Sequence, residues 1–203
     1  MSEPRFIGDA SVLPDHGFGP RSTTWWGVSG FMAIEGAGFA LAFAAYFFLM
    51  AQERQWPASA PAPDLLWSSA TLILLLVSEL PNIWVKRAAE REDLRAVRHG
   101  LIVMSLIVLP IFATRALEFD RLNIGWDRNA YGSITWALLL MHTIHLITDW
   151  VDTLVLTALM HTHHGAEGRR FVDTSENALY WHFIVASWLL VYGVIYWLPR
   201  THG

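Results

Sequence analysis

Five apolar stretches, each close to the ~20 residues needed to cross a hydrocarbon layer about 30 Å thick, constrain this chain more than any other feature. Their approximate limits are Trp25 to Met50, Leu65 to Val85, Val97 to Leu117, Gly132 to Met160 and Ala178 to Leu198. Inside a bilayer the backbone must satisfy its own polar groups, so stretches of this length are read as helices. The reading is all-α: a polytopic membrane bundle of five transmembrane helices. Composition agrees, with 54% hydrophobic residues and eleven tryptophans among 203 residues, well above soluble usage. The connections are short and polar, and Pro57, Pro61 and Pro63 mark the first. One transmembrane domain is therefore expected over residues 25–203, preceded by a polar tail at 1–24 that lacks the basic start and short apolar core of a secretory signal.

Basic residues set the expected orientation, because cytoplasmic loops carry the excess of Lys and Arg. One side holds Arg5, Arg21, Lys86, Arg87, Arg91, Arg95, Arg98, Arg169 and Arg170, and the other holds Arg54, Arg121, Arg128 and Arg200. The amino terminus is thus expected in the cytoplasm and the carboxyl terminus outside. The mixed-sign run from Lys86 to Arg98 reads as a solvated connection and calls for no nucleic-acid partner. With no cysteine in the chain, disulfides, thiolate metal sites and iron–sulfur clusters are excluded.

Ionisable residues inside the spans are the candidates for function, since a charge at mid-bilayer costs on the order of 3 kcal/mol and must face protein, water or a partner. Glu35 stands ten residues after Trp25, about 15 Å into the first span at helical rise. Small residues surround it: Ala33, Gly36, Ala37, Gly38, Ala40 and Ala44 allow close approach of a helix or a lipid. Both a structural tie and a part in proton handling are open to it. Glu79, beside Pro81 and Asn82 near the end of the second span, is expected to reach the interface. Arg115 and Glu118 are three residues apart, on one helix face, and suit a local ion pair.

The fourth span is the most polar. His142, His145, Asp149 and Asp152 have offsets of 0, 3, 7 and 10, an arc of about 80° at 100° per residue. Such a stripe suits a transition metal, a haem held through imidazole, or a hydrogen-bond network between helices, and spacing alone does not choose. His161, His163 and His164 follow in the next loop, which keeps a histidine-ligated membrane redox enzyme in play. Against one shared cluster, His161 lies sixteen residues past His145, roughly 24 Å along a straight helix. In the last span Trp181, Trp188 and Tyr192 form an aromatic stripe, with His182 beside it.

At this point a resemblance becomes specific. The ending Glu176-Asn-Ala-Leu-Tyr-Trp-His-Phe through Tyr196-Trp197 resembles the terminal helix of subunit III of the haem–copper oxidases, the cytochrome c and quinol oxidases. Four further motifs agree in order: Trp26-Gly27 followed by Glu35 and the aromatic-rich 39–48; Leu117-Glu118-Phe119; Tyr131-Gly132-Ser133; and Met141-His142-Thr143-Ile144-His145. The similarity covers residues 25 to 198. It implies two helix groups around a lipid-filled cleft, in a five-helix form matching the last five of the seven helices of the mitochondrial protein.

It further implies no haem or copper in this chain; those cofactors belong to partner subunits. The implied partners are oxidase subunit I, with subunit II in the same complex, and membrane phospholipids in the cleft. The implied setting is a bacterial-type inner (plasma) membrane. By matching position, Glu35 is the buried acid near the cleft, while Glu118, His142, His145, Glu176 and His182 are framework polar residues. Trp25, Trp26, Gly36 and Gly38 are the candidates to line the cleft. Three positions depart from the family pattern: Val185 stands where an aspartate is usual, Thr148 and Asp149 where a glycine is usual, and Arg115 where an amide-like residue is more common. An accessory protein of a nitric oxide reductase and a membrane assembly or lipid-binding factor are the other readings these residues allow.

Overall fold

A computed structural model describes residues 16–57 and 61–201. The described residues contain no β-strand, and residues 1–15 of the polar tail lie outside them. Five helices are long and apolar enough to cross a membrane: α1 (Thr23–Gln52), α2 (Leu65–Glu90), α3 (Leu94–Asp120), α4 (Ala130–Met160) and α5 (Gly168–Tyr192). The last continues through a widened π turn at Gly193–Trp197 into a final turn at Leu198–Thr201.

Local sequence explains where these helices start. The side chains of Ser22, Asp64, Asp93 and Asn129 accept hydrogen bonds from the backbone N–H groups of Thr24, Leu66, Ala96 and Gly132, respectively. Each thereby satisfies one of the donors that a helix start leaves free. The amino end of α5 has no side-chain cap, and here the structure corrects the expected boundary: the helix begins at Gly168, ten residues before Ala178. Its first turns carry Arg169, Arg170, Asp173 and Glu176, too polar to read as a span. Phe171, Val172, Thr174 and Ser175 are nevertheless buried, so tertiary packing makes this stretch helical.

Helices α2, α3, α4 and α5 form a closed four-helix unit in which α2 packs on α3 and α5, and α4 on α3 and α5. Helix α1 packs mainly on α4 and α5. Only 11% of its apolar window is buried, against 50% for the last span, which makes it a second, peripheral group. Its small residues Ala33, Ala37, Ala40 and Ala44 are exposed, and a Cβ added to Gly38 meets nothing within 4 Å.

Both ends of the bundle are tied. At the end where α1 begins, Arg98 Nε donates to the carbonyl of Met160 at 2.6 Å, satisfying a carbonyl at the end of α4, and His16 contacts Glu92 at 2.8 Å. At the opposite end Trp56 Nε1 donates to the Tyr46 hydroxyl at 2.8 Å and stands edge-on to Tyr131. Arg200 there donates to the carbonyls of Tyr196 and Pro63.

The turn between α4 and α5 is held by close backbone approach. A Cβ on Gly165 would lie 2.3 Å from the Met160 carbonyl oxygen and 2.8 Å from its carbon, a clash that rotamer change cannot relieve. Gly165→Ala is therefore expected to destabilise the chain by roughly 1–3 kcal/mol, and Gly38→Ala to leave it unchanged. Thermal unfolding of both variants in detergent checks this.

Candidate functional site

Three polar clusters cross the helix interfaces, and the sequence-predicted residues divide among them. The first is the centre of the four-helix unit. Arg115 and Glu118 on α3, both 2% exposed, meet at 2.8 Å. Tyr196, brought round by the π turn, donates its hydroxyl to the other oxygen of Glu118. The Arg115 guanidinium also lies 3.8 Å over the Trp188 ring, a cation–π contact in a desolvated setting. Its second terminal nitrogen donates to His142 Nδ1 at 3.2 Å, while His142 Nε2 sits 3.0 Å from the Ile184 carbonyl. Arginine has no acceptor and a carbonyl no donor, so His142 is the neutral tautomer with its proton on Nε2. Neither of its nitrogens is left for a metal.

The second cluster joins α2 to α5. His182 Nδ1 lies 2.5 Å from Glu79 Oε2, and the Asn82 amide donates to the Ala178 carbonyl at 3.0 Å. Nearby, Trp181 Nε1 donates to the Ser78 hydroxyl at 2.9 Å. Glu79, expected at the membrane interface, is an interhelical partner instead, because α2 runs on to Glu90 and leaves this residue well inside the helix.

The third cluster joins α1 to the four-helix unit. Glu35 Oε2 accepts the Tyr180 hydroxyl at 2.6 Å, and Glu35 Oε1 lies 3.2 Å from His145 Nε2. The other imidazole nitrogen, Nδ1, donates to the Met141 carbonyl at 2.6 Å. Nε2 is thereby left facing Glu35 Oε1 across the interface of α1 with α4. Phe39 covers the pair, its ring 5.1 Å from that of His145.

A cavity of about 520 Å³ opens beside this third cluster, between α1 and the pair α4 and α5. It is the cleft between the two helix groups. Thr24, Val28, Phe31 and Glu35 form its α1 wall, one face at offsets of 4, 3 and 4 residues. Trp25, Trp26, Gly36 and Gly38, expected to line the cleft, are not among its lining residues: Trp25 and Gly36 each sit one position, about 100° round the helix, from a lining residue. Trp26 is 63% exposed and donates to the Pro20 carbonyl, and a Cβ on Gly36 would face Phe183 at 3.8 Å.

Sequence reasoning missed Asn177. It bridges Asp149 and Asp152, its amide nitrogen 3.2 Å from an oxygen of each. Its signal was the i, i+3 pair of acids on α4, which needs a donor from a neighbour. Glu176 is 1% exposed, and neither of its oxygens makes a hydrogen bond of good geometry to a described residue; Lys86 and the Gly19 amide provide its nearest favourable field. His142, His145 and His182 thus belong to three separate clusters. Among the described residues no three His, Cys, Asp or Glu side chains converge as a metal site. His161, His163 and His164 are exposed at the α4–α5 turn.

Five membrane-length helices, an acid–imidazole–phenol cluster and an arginine–glutamate core define a polytopic membrane protein whose buried polar groups tie helices together. Residues 9–200 match the family described as Cytochrome c oxidase subunit III, and the chain belongs to that family. A Cytochrome c oxidase subunit 3 of Synechocystis sp. is 24% identical over 178 residues, 85% of this chain and 75% of the relative. One of Alkalihalophilus pseudofirmus is 22% identical over 200 residues, 94% of this chain and 95% of the relative. One of Neurospora crassa is 22% identical over 205 residues, 97% of this chain and 74% of the relative.

The geometry of the first cluster yields an asymmetric expectation. Arg115→Met leaves the Glu118 carboxylate buried without its cation and should cost about 3–5 kcal/mol, whereas adding Glu118→Gln should restore much of that loss. Thermal midpoints of the single and double variants measure the difference.

Proposed function

We propose that this chain is a non-redox subunit III of a respiratory haem–copper terminal oxidase, supporting oxygen reduction and proton uptake by a catalytic subunit I against which it packs. Haem and copper reside in the partner subunits, with subunit II in the same complex. The observation that carries this reading is the family match over residues 9–200, joined to an acid at membrane depth, Glu35, that faces His145 at 3.2 Å and accepts the Tyr180 hydroxyl. Such a cluster gives a carboxyl group polar partners where an isolated carboxylate is costly, and it sits on the wall of a cleft that phospholipid fills. The excess of Lys and Arg at the end where α1 begins supports a cytoplasmic amino terminus and an external carboxyl terminus in a bacterial plasma membrane.

Gentle detergent extraction of the tagged chain tests the assignment. A larger haem–copper subunit should accompany it, and that partner should carry the Soret absorbance. Recovery of the chain alone, with its own haem or stoichiometric metal, would overturn the proposal.

The Glu35 cluster has its own expected outcome. Glu35→Gln keeps the size of the side chain but removes the carboxyl that faces His145. The complex should assemble in normal amount and lose activity faster during turnover, by a factor on the order of five for a lost contact worth about 1 kcal/mol. Identical turnover and lifetime would reduce Glu35 to a helix tie.

A further inference from the structure

Away from the cleft, the outer surface of a membrane bundle should present only hydrocarbon-compatible side chains at mid-depth. The described helices follow this rule except at one place. Glu35, His145 and Asp149 face the cleft, and Arg115, Glu118 and His142 are buried. Glu79 and His182 do neither: they are not among the residues that line the cleft, and their side chains are 19% and 34% exposed. Glu79 stands eleven residues before the end of α2 at Glu90 and fourteen after its start at Leu65, about 16 Å and 21 Å at helical rise. The pair therefore opens on the outside of the bundle near the middle of the membrane.

The chain answers this pair incompletely. His182 Nδ1 meets Glu79 Oε2 at 2.5 Å and lies 3.4 Å from the Asn82 amide nitrogen. His182 Nε2 has no hydrogen-bond partner among the described residues and is not enclosed, and Glu79 Oε1 is enclosed without one. Polar groups left so in hydrocarbon are costly. Lipid headgroups stay at the bilayer surface, so protein is what can answer polar groups at this depth. The surrounding surface suits a helix. Leu76 and Ile83 on α2, and Leu179, Ala186 and Leu189 on α5, lie three, four or seven residues from Glu79 or His182, on the same helix faces, and all are partly or fully exposed. Ala186, one turn from His182, lets a facing backbone come close. A hydroxyl or amide side chain both donates and accepts, so it meets an imidazole nitrogen in either protonation state. We propose that the α2–α5 face around Glu79 and His182 is where a transmembrane helix of the catalytic subunit docks, with a hydroxyl- or amide-bearing side chain against His182 Nε2. The inference rests on the oxidase-subunit reading above and names the surface through which the chain joins its complex.

The test works on the assembled complex in native membranes. Photoreactive p-benzoylphenylalanine replaces Ala186 in one variant and, as control, Leu106 in another, a residue 59% exposed on α3; the tagged chain is purified after illumination. The Ala186 variant should give a product joined to the haem-bearing subunit, mapped by peptide mass spectrometry to a transmembrane segment with Ser, Thr, Asn or Gln within one turn of the link. The Leu106 variant should not. The double variant Glu79→Leu/His182→Phe removes the polar pair and leaves a surface that lipid can cover. It should accumulate in the membrane, while the haem-bearing subunit recovered with it in stringent detergent falls about fivefold. A pair that only ties α2 to α5 gives the opposite pattern, a lower thermal midpoint with the recovered ratio unchanged, and that result overturns the proposal. So does a link from Ala186 only to lipid, to a second copy of this chain or to a polypeptide without haem, or a link to the haem-bearing subunit no stronger from Ala186 than from Leu106. Should the double variant fail to accumulate, the Ala186 link decides alone. Recovery of the haem-bearing subunit with the unaltered chain tests the oxidase reading by itself, so a wrong face and a wrong complex give different results.

Discussion

The buried contact between Arg115 and Glu118 is the interaction on which the four-helix unit depends. Two charges buried between the helices of a membrane protein are tolerated only when every surrounding group answers them. Here α3 supplies both charges, α4 supplies a neutral imidazole that accepts from the arginine, and α5 supplies the Trp188 face and the Tyr196 hydroxyl. The π turn after Tyr192 is part of the same solution, since it sets the position of Tyr196. Lipid offers little hydrophobic drive for helix association, so packing and hydrogen bonds of this kind decide which helices meet. Aromatic donors repeat the scheme elsewhere: Trp150 donates to the Ser105 carbonyl and Trp181 to the Ser78 hydroxyl.

Helix α1 stands outside that scheme. Its attachment rests on Glu35 with His145 and Tyr180, on Phe39 and Tyr46 as its buried apolar residues, and on the Trp56 lock at its far end. That is enough to hold it against α4 and α5 at the depth of Glu35, and not enough to close the interface toward its amino end, where the cavity lies. The weakest helix interface is therefore also the one that presents acids. Structural economy and the candidate site have one origin: polar residues that the four-helix unit does not use are turned toward the cleft.

Much of this was legible in the sequence because membrane spans are written in composition. All five helices, the Arg115–Glu118 pair and the separation of His142 and His145 from the later histidines follow from length, charge and helical spacing. The Tyr131-Gly132-Ser133 motif acquires a physical reason in the structure: a Cβ on Gly132 would lie 2.4 Å from the Gly125 carbonyl oxygen, so the loop can pass only over glycine. What hydropathy could not show was the first part of α5, whose polar residues face the cleft while Phe171, Val172 and Ser175 are buried. The same blindness moved Glu79 to the interface, since the polar end of α2 reads as loop although it is helical to Glu90. The α1 lining of the cleft is illegible for a different reason: residue type does not determine it, because the face of α1 turned inward is fixed by the register of Glu35 with Phe31, Val28 and Thr24.

Val185 and Asp149 stand at different depths in the bundle, so neither residue substitutes for the other. Helices α4 and α5 run antiparallel, and the contacts of His142 with Ile184 and of Asp149 with Asn177 fix their register. In that register Val185 is level with about position 141, so Asp149 lies some eight residues, or about 12 Å at helical rise, nearer the end where α1 begins. Val185 is buried in the apolar core at 5% exposure. Asp149 stands at the wall of the cleft, beside Asn177, Asp152 and Glu176. The tie between α4 and α5 through His142 and the Ile184 carbonyl is thus separate from the acids of the cleft, so framework and cleft electrostatics are set by different residues.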